Sequence, residues 1–168
     1  MTVSEFSHPV DRRHLPAGPV TLAASAAERA ALATRFGLVS IGKLEAGVRL
    51  TLDGEAIDAT GRLRAELTQS CAVSGDDLPV AIDEPLMLRF VPAAPVNEEE
   101  VELDASALDE IPFEGHAFDL GEAVAQSLAL AIDPFAVGPN AERVRKEAGL
   151  LDEAAAGPFA ALAALKKD

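Results

Sequence analysis

Tryptophan and tyrosine are absent from this chain of 168 residues, and its seven aromatic side chains are all phenylalanine. The core must therefore be built mainly from aliphatic side chains, alanine and leucine above all. A single-strand platform, with bases stacked on aromatics set between basic residues, is disfavoured. There is one cysteine, Cys71, which excludes an intramolecular disulfide framework and fits a reducing compartment. No stretch approaches the roughly 20 apolar residues of a membrane-spanning helix. Met1 to Val10 contain Glu5, His8 and Pro9 instead of a basic region followed by an apolar one, so no secretory signal is expected and the cytoplasm is the expected location. A zinc-type Cys/His spacing, a dinucleotide-binding glycine pattern and a serine nucleophile elbow are also missing. No catalytic residue, no metal ligand and no cofactor is assigned.

Lysine and arginine are missing from residues 96–134, which hold eleven Asp and Glu for a net charge of −11. The whole chain carries −14, and residues 135–168 sum to zero. The acidity is thus one block centred on Glu98, Glu99, Glu100, Glu102 and Asp104. Such a block repels phosphate backbones and attracts basic partners, although a solvated loop that aids solubility explains it equally well.

Hydrophobic periodicity supplies the elements. Phe6, His8 and Val10 alternate as a first strand, with Pro9 placing it at a sheet edge. Ser25 and Glu28 form a capping box ahead of a helix over 26–36, with Ala27, Ala30, Ala31 and Arg35 at helical spacing, and Gly37 closes it as a left-handed cap. From Leu38 the period changes to two. Val39–Ala46, Val48–Leu52, Leu63–Leu67 and Val80–Phe90 read as four half-buried antiparallel strands, with Gly47, Asp53-Gly54 and Ser74–Asp77 as turns. Asp119 caps a second helix over 120–132, with Glu122 completing its box and Leu120, Val124, Leu128 and Ala131 as its apolar stripe. Asp133-Pro134 stops it. A short polar helix over 142–148 and a final one over 159–166 follow. The expected fold is α+β: a curved or barrel-like antiparallel meander with helices packed on it and a helical C-terminal part. The expected organisation is a β-rich core over 1–96, an acidic linker over 97–110, and 111–168 as the helical part of the same domain.

Three features invite chemistry and are better explained without it. Gly37 to Lys43 has the glycine and lysine spacing of a phosphate-binding loop, but Leu44 replaces the magnesium-binding hydroxyl and the segment runs from helix to strand, the reverse of what that loop needs. A helix cap followed by a strand bulge is the better reading. Glu114, His116, Asp119 and Glu122 are potential ligands, yet the last two are accounted for by capping. Cys71 lacks a local histidine partner and reads as a small buried cysteine.

The segment Gly61–Cys71 resembles the cysteine-ending strand of the YceD family, and Asp119-Leu120-Gly121-Glu122 with Gln126, Leu128 and Ile132-Asp133-Pro134-Phe135 resembles that family's most recognisable block. Gly157-Pro158-Phe159 with Leu165-Lys166 is similar to its tail. Cys71, Asp119, Gly121, Gln126, Leu128 and Pro134 carry the motif. Many relatives place a second cysteine three residues after the first; Ser74 stands there, so no metal or redox role is carried over. The resemblance implies a bacterial, non-enzymatic role in the accumulation of large-subunit ribosomal RNA. Two contacts are then open. Arg12, Arg13, Arg62 and Arg64 are candidates for touching that RNA or a pre-ribosomal particle. Alternatively, the acidic block escorts a basic large-subunit ribosomal protein. A metal-dependent hydrolase built on Glu114, His116 and Asp119 is a third class, outweighed by the capping explanation.

Overall fold

The computed structural model describes residues 4–93 and 110–149. In chain order these form β1 (Pro9–Asp11), a 3-10 turn (Arg12–His14), β2 (Val20–Ala23), α1 (Ala26–Phe36), β3 (Ser40–Asp53), β4 (Ala56–Ser70), β5 (Asp77–Pro92), β6 (Glu110–Phe113), β7 (Ala117–Asp119), α2 (Leu120–Ala131) and α3 (Ala141–Glu147). The acidic residues Glu98, Glu99, Glu100, Glu102 and Asp104, and the final helix expected over 159–166, lie outside the described residues.

The fold is α+β, with a five-stranded sheet in the order β2-β3-β4-β5-β6 and a separate two-stranded ribbon of β1 and β7. The sheet is not closed, so the barrel-like expectation gives way to an open sheet with edges at β2 and β6. It is also mixed, because β6 pairs with β5 in parallel, Arg89 opposite Glu110 through Pro92 opposite Phe113. Pro112 can sit there because an edge strand does not need every N–H.

The strands are longer than the periodicity suggested. The segments expected over Val39–Ala46 and Val48–Leu52 merge into one strand that begins at Ser40, and Gly47 is no turn: it lies within β3, opposite Arg62. The close approach at this place constrains the neighbouring strand instead: a Cβ on Gly61 would stand 1.9 Å from the Gly47 carbonyl oxygen, whereas one on Gly47 would meet nothing within 4 Å. Glycine is needed at position 61 so that the two backbones can touch, and Gly47 is a strand glycine that looks like a turn in sequence. The bulge is found where it was expected, with the β3–β4 register shifting between Ile41 and Lys43.

Alternation decides what each strand buries. Val48, Ile57, Ala59, Leu63, Ala65 and Leu67 face inward and join Leu32 of α1 and Leu120, Val124 and Leu128 of α2 in one cluster. Phe90 and Phe118 meet at 4.2 Å between ring centroids, and Phe113 packs on Phe118. Both helices therefore cover the same face. The buried face of α1 is Leu32 and Ala33, whereas Ala27 and Ala30 are exposed, so the alanine stripe expected from spacing was displaced. Leucine offers more apolar area than alanine, and area decides which side turns inward.

Candidate functional site

Two helix starts are built from their sequences. Ser25 accepts from Glu28 N–H and the Glu28 carboxylate returns to the Ser25 N–H at 2.7 Å, the full capping box. Asp119 likewise accepts from Glu122 N–H at 3.1 Å. The second box, however, is half made. The Glu122 carboxylate accepts instead from Arg35 at 2.7 and 2.9 Å, from the Ser4 hydroxyl at 2.7 Å and from Gln126 at 3.0 Å. Arg35 on α1 outcompetes the cap because a bidentate guanidinium offers a charge-assisted pair. It holds the Glu122 carboxyl down at about 2.

The N-terminal segment crosses this junction. Asp119 also accepts from His8 N–H at 2.8 Å and from the Ser7 hydroxyl at 2.6 Å. Leu120 N–H donates to the His8 carbonyl at 3.0 Å. A Cβ on Gly121 would meet the Phe6 carbonyl oxygen at 2.5 Å and the His8 nitrogen at 2.8 Å. Asp119 and Gly121 thus receive residues 6–8, while Leu128 is fully buried and Gln126 braces Glu122. His116 is exposed and its carbonyl accepts from Arg12 N–H at 2.8 Å. Among the described residues no three His, Cys, Asp or Glu side chains are arranged to hold a metal.

Cys71 closes the far end of β4. Only 3% of it is exposed, and its Sγ accepts from the backbone N–H groups of Gly138 at 3.2 Å, Ser74 at 3.3 Å and Val73 at 3.5 Å. The Ser74 side chain and these three N–H groups, Ser74 first, draw the thiol down to about 6. Gly138 reaches it because Asp133-Pro134 ends α2 and the following loop folds back, with Gln69 Nε2 donating to the Asp133 carbonyl at 2.8 Å. Pro134 itself is exposed, so its part is to end the helix.

The outward face of the sheet carries the arginines. Arg62 and Arg64 are exposed on β4 and both pair with Asp83 of β5, Arg64 at 3.5 Å. Register places Arg49, Thr60 and Met87 in the adjacent row, on the same face. Arg49 is exposed and has no ion pair among the described residues; Met87 is 77% exposed. Arg12 and Arg13 stand apart, in the 3-10 turn. Arg13 is clamped by Asp11 at 2.7 Å, and Arg12 lies 5.9 Å over the Phe113 ring. No hydrogen bond or ion pair joins this couple to Arg62 and Arg64, so the four candidates form two separate pairs. Sequence reasoning missed Arg49 and Met87. The alternation Val48-Arg49-Leu50 and Leu86-Met87-Leu88 was the signal that could have found both.

A mixed sheet with helices on one face, an arginine-bearing open face and a cysteine cradled by backbone N–H groups defines an α+β protein with no assembled catalytic constellation among the described residues. The family model described as "Large ribosomal RNA subunit accumulation protein YceD" matches residues 59–166, from the inward side of β4 to the end of the tail motif. The chain belongs to the YceD family. No curated protein and no solved structure matches it. No helix among the described residues is long and apolar enough to cross a membrane.

Proposed function

We propose that this protein acts as a non-enzymatic ribosome-biogenesis factor, supporting accumulation of large-subunit ribosomal RNA by contact with that RNA or with the pre-ribosomal large subunit. The family's printed role supports the RNA end of this reading. The observation that carries the contact surface is the open face of the sheet, where Arg49, Arg62 and Arg64 lie on neighbouring strands with none of the described helices over them.

The mechanism is an exchange of counterions. Asp83 is shared by Arg62 and Arg64 and its carboxyl is held below the ordinary range, Arg62 being the main cause. Both arginines are more than half exposed, so these pairs are weak in water and a phosphate can take the place of the carboxylate. Arg49 adds a guanidinium with no carboxylate of its own among the described residues. The face also holds Glu45 and Glu66, so its net charge is small, and contact there is one of local fit more than of long-range attraction.

The test is binding of the full chain to large-subunit RNA fragments across a salt series. Replacing Arg62 and Arg64 by alanine is expected to weaken binding on every fragment and to flatten the dependence on log salt by roughly two phosphate contacts. A variant at Arg12 and Arg13 is the control for the second pair. Unchanged binding after the Arg62 and Arg64 substitutions overturns the sheet face as the contact. Capture of a basic large-subunit protein in place of RNA assigns the contact to the acidic segment.

A further inference from the structure

Four successive outward rows of β3 and β4 each carry one cation. Register sets Lys43 opposite Glu66, Arg64 opposite Glu45, Arg62 opposite Gly47 and Arg49 opposite Thr60. Every second residue of a strand faces the same way, so neighbouring rows lie about 6.7 Å apart and the four span about 20 Å. The cations stay within two adjacent strands, about 4.8 Å apart, and so form a narrow ladder along the sheet. Lys43 pairs with Glu45 at 3.1 Å, Arg62 and Arg64 share Asp83, and Arg49 has no ion pair among the described residues. Four cations thus share these rows with three carboxylates, Glu45, Glu66 and Asp83. That balance is too even for strong long-range attraction, and it leaves the regular spacing as what the face offers a ligand. The pairs are exposed, so each is weak in water and open to exchange with a phosphate oxygen.

The same rows hold no ring on which a base could stack. Phe6, Phe90, Phe113 and Phe118 are buried, Phe36 packs against the core, and Phe135 follows α2, the helix on the opposite face. The side chains beside the ladder are instead Thr21, Thr60, Ala81, Pro85 and Met87. Resting on the sheet face as the contact surface, we propose that the RNA it takes is double-stranded, held along one run of phosphates by Lys43, Arg64, Arg62 and Arg49 and not by its bases. A duplex holds its phosphates at regular intervals close to the row spacing, and the long basic side chains absorb the remaining mismatch. It also presents 2′-hydroxyls beside those phosphates, for which the exposed Thr21 and Thr60 hydroxyls are suitable partners. A single strand would first have to be ordered, and its bases would find no aromatic platform to repay that cost. Recognition of this kind reads shape and backbone and is indifferent to sequence.

The full chain is titrated with an RNA duplex of about 16 base pairs taken from a large-subunit helix, with each of its separated strands, and with a duplex of scrambled sequence. Both duplexes are expected to bind equally, and about tenfold more tightly than either strand, the worth of roughly one missing stacked base. Lys43→Ala and Arg49→Ala are each expected to weaken duplex binding and to lower the dependence on log salt by about one phosphate contact. Both residues lie on the surface at the ends of the ladder, and unchanged thermal unfolding checks that the variants are folded. Single strands that bind as tightly as the duplex, and lose affinity in the Arg62→Ala, Arg64→Ala variant, overturn the duplex while leaving the sheet face as an RNA contact. A duplex preference untouched by Lys43→Ala and Arg49→Ala overturns the ladder. Absence of binding to all of these RNAs overturns both the duplex and the contact surface on which it rests.

Discussion

The two faces of one strand, β4, carry opposite chemistries, apolar and buried on one side, charged and exposed on the other. Leu63 and Ala65 are buried in the cluster that α1 and α2 share, while Arg62 and Arg64, their immediate neighbours, are exposed and pair with Asp83. Period-two alternation makes this separation complete: fold and surface chemistry are written in the same fifteen residues without sharing a position. What is learned is that the inward set fixes the architecture, whereas the outward set is free to change with little effect on stability.

That contrast can be broken first at its centre. Leu63→Ala should destabilise the protein by about 2–5 kcal/mol through lost burial and a residual cavity. Arg62→Ala with Arg64→Ala should cost about 0.5 kcal/mol or less in the same denaturant titration, since both pairs are exposed. Similar losses from the two variants would mean that the arginine face is structural. Next in size is Gly121→Ala, expected to cost about 1–3 kcal/mol, because its methyl group meets backbone that cannot rotate away. Removal of residues 6–8 from contact with α2 would be visible as faster amide exchange at Leu120.

Glu122→Gln should follow, at roughly 1 kcal/mol near neutral pH, since Arg35 loses its bidentate partner in a partly exposed setting and keeps only Glu5, at 3.0 Å. The sign with pH is fixed by the depressed carboxyl. Its contribution is whole above the ordinary carboxylate value of 4.5 and is lost as pH falls toward about 2, so wild type should lose stability over that window more steeply than the variant. Equal slopes for the two in acid titrations of stability would remove Glu122 from the account. The smallest effect is local. The Cys71 thiolate, followed by its absorbance near 240 nm, should titrate at about 6, and Ser74→Ala should raise that midpoint toward the ordinary thiol range with little change in melting. An unshifted midpoint would assign the depression to the backbone N–H groups alone.

Local features were legible in the sequence and register-dependent ones were not. The Ser25–Glu28 box, the Gly37 cap with φ of 65° and the bulge near Gly42 were each encoded within a few residues. Gly47 reads as a turn because a glycine within a strand and a glycine in a turn look alike until the β3–β4 register sets it opposite Arg62. The short strands β2, β6 and β7 escaped notice because three or four residues carry too little periodicity. At the candidate site, Arg62 and Arg64 could be put on one face, but Asp83 emerged only from the β4–β5 register, and Arg35 as the partner of Glu122 only from the packing of α1. The burial of Cys71 was readable; the Gly138 N–H that reaches its sulfur, 67 residues away, was not.

The strap formed by residues 4–8 has a consequence for how the chain is made. Ser4 is bonded to Glu122 across a sequence separation of 118 residues, and His8 to Asp119 across 111. During vectorial synthesis, residues 4–8 must wait for α2 to emerge before they can seat. β1 likewise has no strand to pair with until β7 appears. Closure of this clasp is a late, high-contact-order event, so an interrupted or truncated translation product lacking residues 117–122 would leave residues 4–11 without their partners however well β2–β5 had formed.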